Sequence, residues 1–392
     1  MKTIRWALLL LAAPTLPAFS QSTYQFTKGL AVSSPQRYGR EAIYSDLLAA
    51  QLYNNKLARP ADGAVFAEGQ SWQAVTADSA NRLFRRGMMR GGNFGRGGYF
   101  YLTYESSEAR TALLNIKGNS GVYVNGEPHA GDPYSSGWLY IPVQLKKGVN
   151  EFYVRGVFIT ASLSFPNKPV LLNTEDPTMP SVVPGAGMLQ GAIVVINSSN
   201  KSLKGLQLRA VLQGKTVMSE VPVIPPMTTR KVPFNFDAGA VTSEGKLSCT
   251  VALLEKGRVL DEAAAPVEAV GKGAQYAATF ISQIDGSLQY YAVTPQAGGP
   301  KPGQSLFLSV HGAGVEAIGQ ARAYRPKEWG TLVAATNRRP RGFNWEDWGR
   351  LDAPGSTRYC PRKIPARSAT RVPNRALDGW TWHLVPRRHL SG

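Results

Sequence analysis

The sequence predicts a multidomain, mainly β chain: two all-β sandwich units followed by the opening strands of an α/β domain. Three observations predict it. Short apolar or alternating runs at 71–75, 98–104, 111–116, 121–125 and 150–155 recur between Gly, Asn and Pro turns. A second series of the same kind, at 191–196, 206–212, 230–236 and 246–254, follows a stretch rich in Pro, Asn and acidic residues at 165–184. Beyond Gln275 the pattern changes, and 306–310 is a five-residue run bounded by turn formers, as a buried parallel strand is. With 392 residues, 43% hydrophobic and including 40 glycines, the chain has material for two or three domains and a sizeable core.

Taken from the start, Lys2 and Arg5 precede a short apolar run at 6–13, and Ala18-Phe19-Ser20 supplies a small-x-small cleavage signal. Residues 1–20 therefore read as an export signal with a mature start at Gln21. The apolar run is too short to span a bilayer and no longer one follows, so a secreted or periplasmic protein without a transmembrane segment is expected. A short helix is expected at 44–53, opened by Ser45 or Asp46 as N-cap. The first β domain is placed at 21–165, the linker and second β domain at 166–272, the α/β piece at 273–353 and a tail at 354–392. The spacing of the second series suggests a small immunoglobulin-like sandwich with nothing reactive in it.

The formal charge of +18 invites a nucleic-acid reading, as does the arginine- and glycine-rich segment 90–98. The distribution argues against it. Half of the excess lies in the signal and in 354–392, and for an exported chain 90–98 is a glycine-rich loop leading into the strand at 99–104. No nucleic-acid partner is expected. Cys249 and Cys360 are too few for a disulfide framework, and two isolated cysteines with four histidines offer no ligand spacing. No metal or other cofactor is expected.

Two segments point toward chemistry. The strand at 306–310 runs into His311-Gly312-Ala313-Gly314, where glycines let the backbone turn sharply and leave N–H groups free to face a developing oxyanion. His311 belongs to that loop's geometry rather than to proton transfer. Further on, Asn337, Arg338, Arg339, Trp345, Asp347 and Trp348 form a polar and aromatic stretch suited to a loop over a site mouth, with the arginines available to an acidic group or simply solvated. Glu346 and Asp347 are adjacent on one segment and cannot face each other across a glycosidic bond.

His311 to Gly314, the helical stretch at 316–324, the strand at 331–336, the Asn337 to Trp348 stretch and the hairpin at 284–291 together resemble secreted serine hydrolases of the prolyl-oligopeptidase-like α/β-hydrolase group. The resemblance covers about 279–353. It implies ester or peptide cleavage through an acyl-enzyme, with Ser, Asp and His in that chain order beyond Ala353. None of the triad lies in this chain. From Pro354 onward arginines and prolines are scattered without periodicity, and a permitted back-translation read one base later yields a GHSMG elbow, so a frameshift near Pro354 and a genuine basic tail are the two explanations. Residues 122–126, 131–134, 141–143 and 145–150 resemble the jelly-roll, galactose-binding-like modules attached to many secreted hydrolases. There Asn125, Asp132, Tyr134 and Trp138 either line a carbohydrate loop or serve as turn residues and a packed aromatic. The alternative to the hydrolase is a non-catalytic carbohydrate- or surface-binding β protein. An ester, peptide or glycan is the expected small-molecule partner.

Overall fold

A computed structural model describes residues 22–34, 46–85, 97–299, 301, 305–312, 315–338, 345, 347–359 and 371–373, with backbone alone at 347, 348, 355, 357–359 and 371–373. The export signal, the 90–96 segment, Ala313, Gly314, Arg339, Cys360 and residues 374–392 lie outside the described residues. No helix among the described residues is long and apolar enough to cross a membrane. The chain divides into two compact units, Met1–Pro169 and Val170–Gly392.

The first unit contains β1 (Thr23–Gln25), β2 (Lys28–Ser33), α1 (Leu47–Tyr53), β3 (Val65–Ala67), β4 (Gln70–Ser71), β5 (Gln73–Thr76), β6 (Leu83–Phe84), β7 (Gly98–Ser106), β8 (Arg110–Val124), β9 (Glu127–Ala130), β10 (Ile141–Leu145) and β11 (Gly148–Ser164). Nine of these strands form one sheet whose main path is β10-β8-β11-β7-β2-β5, with β1 and β6 on β11 and β9 on β8. The two strands expected at 111–116 and 121–125 are one continuous β8. It pairs with β11 from Phe152↔Val124 to Ser164↔Leu113, with register shifts on either side of Gly156. Gly118 is what lets the strands close there: its φ is +81°, and a Cβ would lie 2.0 Å from the Phe158 carbonyl oxygen.

Alternation along the strands sends side chains to two faces. Phe100, Leu102, Phe152 and Val154 enter the larger core with Phe26, Leu114, Val124 and Leu163. Tyr99, Tyr101 and Tyr153 lie on the other face, where Leu48 of α1, Phe66 and Trp72 cover them. Asp46 is the N-cap of α1, accepting from Ala49 N at 3.1 Å, and thus settles the choice between Ser45 and Asp46.

The second unit contains β12 (Val170–Thr178), β13 (Met188–Asn197), β14 (Leu206–Leu212), β15 (Lys215–Glu220), β16 (Thr228–Asp237), β17 (Gly245–Glu255), β18 (Arg258–Ala269), β19 (Tyr276–Ile281), β20 (Leu288–Thr294), β21 (Ser305–Ser309), α2 (Ala317–Arg322), β22 (Gly330–Ala335), α3 (Asp347–Tyr359) and β23 (Arg371–Pro373). The sheets β12-β13-β16 and β15-β14-β17-β18 enclose one core that includes Ile193, Val195, Phe234, Phe236, Leu208, Val251 and the Cys249 thiol. This is a two-sheet β sandwich. The stretch at 165–184, expected as a linker, contributes β12, whose Leu171 and Leu172 are buried.

The remaining sheet has the order β19-β20-β22-β21-β23, antiparallel at its first two pairings and parallel at β21-β22 and β21-β23. The only helices described in the second unit are α2, of 6 residues, and α3, of 13. The α/β-hydrolase expectation for the fold is corrected here. A parallel α/β architecture needs helices over both faces of its sheet, whereas strands dominate both units. α3 includes Pro354 and ends at Tyr359.

Candidate functional site

The register of the first sheet sets a row of polar and aromatic side chains on its α1-side face. Tyr101 stands opposite Leu30 on β2 and Tyr153 on β11, while Thr103 stands opposite Glu151. The segment between α1 and β3 runs past this row, and together they bound a groove of about 610 Å³ lined by Lys28, Gly29, Leu30, Arg59, Pro60, Ala61, Tyr101 and Thr103.

Beneath the groove the hydrogen bonds converge on one phenol. Tyr101 Oη donates to Glu151 Oε1 at 2.6 Å and accepts from Arg59 Nε at 3.4 Å. Arg59 Nε also stands 3.8 Å from Glu151 Oε1. Burial, followed by the bond to Glu151, raises the Tyr101 pKa, so the phenol stays neutral and keeps its donor proton on the carboxylate. Tyr153, its ring centroid 5.0 Å from that of Tyr101, is raised as well, by burial first and the Glu151 charge second. Tyr101 and Tyr153 are each 95% buried, so the polar groups that reach solvent are the Arg59 side chain, 69% exposed, Lys28, Thr103 and part of the Glu151 side chain, beside apolar lining from Leu30, Pro60 and Ala61. Such a set offers charged and neutral donors beside an acceptor, which suits a ligand dense in hydroxyl groups.

None of these groove residues is singled out by the sequence. Tyr101 and Thr103 share a strand face by alternation, and so do Glu151 and Tyr153. A register linking positions 50 residues apart is what joins the pairs.

Of the four residues expected for carbohydrate, two make turn contacts through their side chains. Asn125, at φ +50°, occupies the β8-β9 turn, bonds Asn150 Oδ1 at 2.9 Å and accepts from Glu151 N at 3.0 Å. Asp132, at the far end of β9, is 7% exposed and accepts from Ser136 N at 3.0 Å and Gly137 N at 2.6 Å. Both carry the turn role. Tyr134 and Trp138, half-buried, belong to the same loop as Asp132.

At the other predicted site, His311 is 3% exposed, and burial holds its imidazole below the usual histidine range. Its Nδ1 lies 3.0 Å from Gly312 O, and Nε2 has no hydrogen-bond partner among the described residues. Trp345 packs on the ring at 5.0 Å and donates from Nε1 to the His311 carbonyl oxygen at 2.9 Å. Trp345 thus braces the turn. Asn337 is buried, with its amide so close to Gly349 that no side chain fits there. Arg338 is no free cation: it is bound to Asp285, Asp352 and Ser282. The Asp347 and Trp348 side chains fall outside the described residues, as do Ala313, Gly314 and Arg339. Among the described residues no group of three or more His, Cys, Asp and Glu is placed to hold a metal ion.

No protein-family model matches the chain, and no curated protein matches it. Among solved structures it is similar to a candidate β-galactosidase from Bacteroides fragilis, at 14% identity and a TM-score of 0.35 over 77% of this chain and 46% of that one. It is also similar to a glycosyl hydrolase family 2 member from Bacteroides cellulosilyticus, at 11% identity and a TM-score of 0.31 over 73% and 40%. A third is an exo-chitosanase from Amycolatopsis orientalis, at 11% identity and a TM-score of 0.30 over 69% and 36%. The chain spans less than half the length of each. At these scores no substrate or residue role passes to this chain. The strand-dominated fold overturns the prolyl-oligopeptidase-like resemblance and with it the ester- or peptide-cleaving function drawn from it.

Proposed function

We propose that this chain is an exported, non-catalytic carbohydrate-binding β protein that engages its ligand in the groove between β2, β7 and the segment around Arg59. The observation that carries the reading is the groove's composition. Arg59, Lys28, Thr103 and Tyr101 line one open concavity with donors and hydroxyl acceptors, over a floor held by the hydrogen bond from Tyr101 to Glu151. Sugars present adjacent hydroxyls that both donate and accept, and such mixed sets meet them in pairs. Pro60 and Leu30 supply apolar wall for the C–H surface of a pyranose. The first unit is read as a jelly-roll-type module and the sandwich of the second as an immunoglobulin-like spacer.

Retention of the full chain on a panel of soluble polysaccharides in native gels tests this. A polysaccharide that slows the chain should do so less after Thr103→Ala and after Tyr101→Phe, which frees the Glu151 carboxylate from its anchor. Each loss is expected at about fivefold to tenfold in affinity, the worth of about one hydrogen bond. Retention by no polysaccharide, or retention indifferent to both substitutions, overturns the reading.

A further inference from the structure

We propose that the groove selects sugars bearing a carboxylate, the hexuronates, over their neutral counterparts; this rests on the carbohydrate-binding reading above. The argument is one of uncommitted charge. Arg59 Nε donates to Tyr101 Oη at 3.4 Å and stands 3.8 Å from Glu151 Oε1, while its two terminal nitrogens have no partner among the described residues. A guanidinium fixed at one nitrogen and free at the other two is prepared for two parallel hydrogen bonds to a planar carboxylate. Lys28 adds a second exposed cation on the same lining, also without a partner among the described residues.

The nearby acids stand outside the lining. Glu151 has Oε1 occupied by the Tyr101 hydroxyl at 2.6 Å and lies beside Arg59. Asp62, next to Ala61 of the lining, is committed through Oδ1 to Ala74 N at 2.9 Å. Lys28 and Arg59 are the only charged groups among the lining residues, which leaves the lining itself net positive. An anionic group on the ligand relieves that excess, and a neutral sugar does not. Thr103 remains for a ring hydroxyl, so the site reads both the acid and the sugar that bears it.

The test uses the full chain and isothermal titration with glucuronate-, mannuronate- and galacturonate-configured trisaccharides, each as the free acid and as the methyl ester. The ester keeps the sugar and removes the charge. At least one free acid is expected to bind about tenfold or more tightly than its ester, with the advantage shrinking as NaCl rises from about 0.05 to 0.5 M. In Arg59→Gln and in Lys28→Gln the acid-to-ester ratio should fall to about threefold or less. Both side chains are exposed, and unchanged thermal unfolding verifies that the fold is intact. Equal binding of acid and ester overturns charge selection and leaves carbohydrate binding standing. An acid preference that survives both substitutions removes it from this groove. If no trisaccharide, acid or ester, binds and the polysaccharide panel is also negative, both readings fall.

Discussion

Arg338 shows how much one side chain can bind together. At φ +59° its backbone is in the left-handed region, and its side chain, 14% exposed, reaches Asp285 Oδ2 at 2.6 Å, Ser282 Oγ at 2.7 Å and the buried Asp352 carboxylate. Ser282 Oγ in turn donates to Asp352 Oδ1 at 2.8 Å, so the β19-β20 turn, the end of β22 and α3 meet at one guanidinium. Removing a charge of this kind leaves its partner buried and unpaired, and Arg338→Ala is expected to cost about 3 kcal/mol or more in urea unfolding. The acid side carries a second signature. Burial of Asp285 opposes ionisation, but hydrogen bonds from Ser287 and Arg338 overcome it and hold the carboxyl below its ordinary value. A depressed folded-state value contributes stability that is present above about pH 4 and lost as pH falls through it. The wild type should therefore lose stability below about pH 4 more steeply than Arg338→Ala; equal slopes would refute the coupling. The sequence exposes Arg338 as a cation in a polar stretch, either solvated or available to an acidic group. Its two carboxylates lie 53 and 14 residues away, and no local pattern announces them.

At the scale of the element, α1 is too short to persist alone, since helices of fewer than about 12 residues are marginal in water. Its 7 residues hold because Leu48 is fully buried and Asp46 ties the helix start to the sheet. Asp46 Oδ1 takes Ala49 N and the Tyr99 hydroxyl at 2.7 Å, while Oδ2 pairs with Arg155 at 3.2 Å. Asp46→Ala loses cap, hydrogen bond and ion pair together, whereas Asp46→Asn retains an acceptor for the first two. The expected costs are about 2–4 kcal/mol and about half that. Amide exchange in α1 should accelerate in the alanine variant, and unchanged protection there would show that packing alone holds the helix. This element was legible: an Asp before an apolar run is a helix-start signal, and Asp46 is the cap. The 206–212 run and β14 coincide for a related reason, its side chains alternating between buried and half-buried. By contrast β12 hides in a segment whose Asn173, Glu175, Asp176 and Pro177 read as a linker. Its identity comes from pairing with β13, where Val170 faces Asn197. β15 and β18 are equally hard to read in the sequence, because hairpin partners with exposed polar positions carry little hydrophobic period.

Across the whole molecule, the mainly β character was readable from composition and turn spacing, and the groove was not, because it exists only where β2, β7 and β11 come into register. The local glycine-rich signal at His311 points elsewhere, to a reaction that the strand-dominated fold does not support. What the two units do share is self-sufficiency of their interiors. Phe100, fully buried, lies in a core made of first-unit residues alone, and Phe234, 2% exposed, in one made of second-unit residues alone. Cores that share no side chain give unfolding little reason to be a single event. Calorimetry of the full chain is expected to resolve more than one transition. Phe100→Ala and Phe234→Ala should each remove about 3–5 kcal/mol from one core. That corresponds to a fall of roughly 10 °C in the transition of the unit carrying the substitution, with the other held within about 2 °C. If each substitution instead drags every transition down together, the units depend on one another for stability, and groove variants such as Thr103→Ala would then have to be judged against the stability of the entire chain.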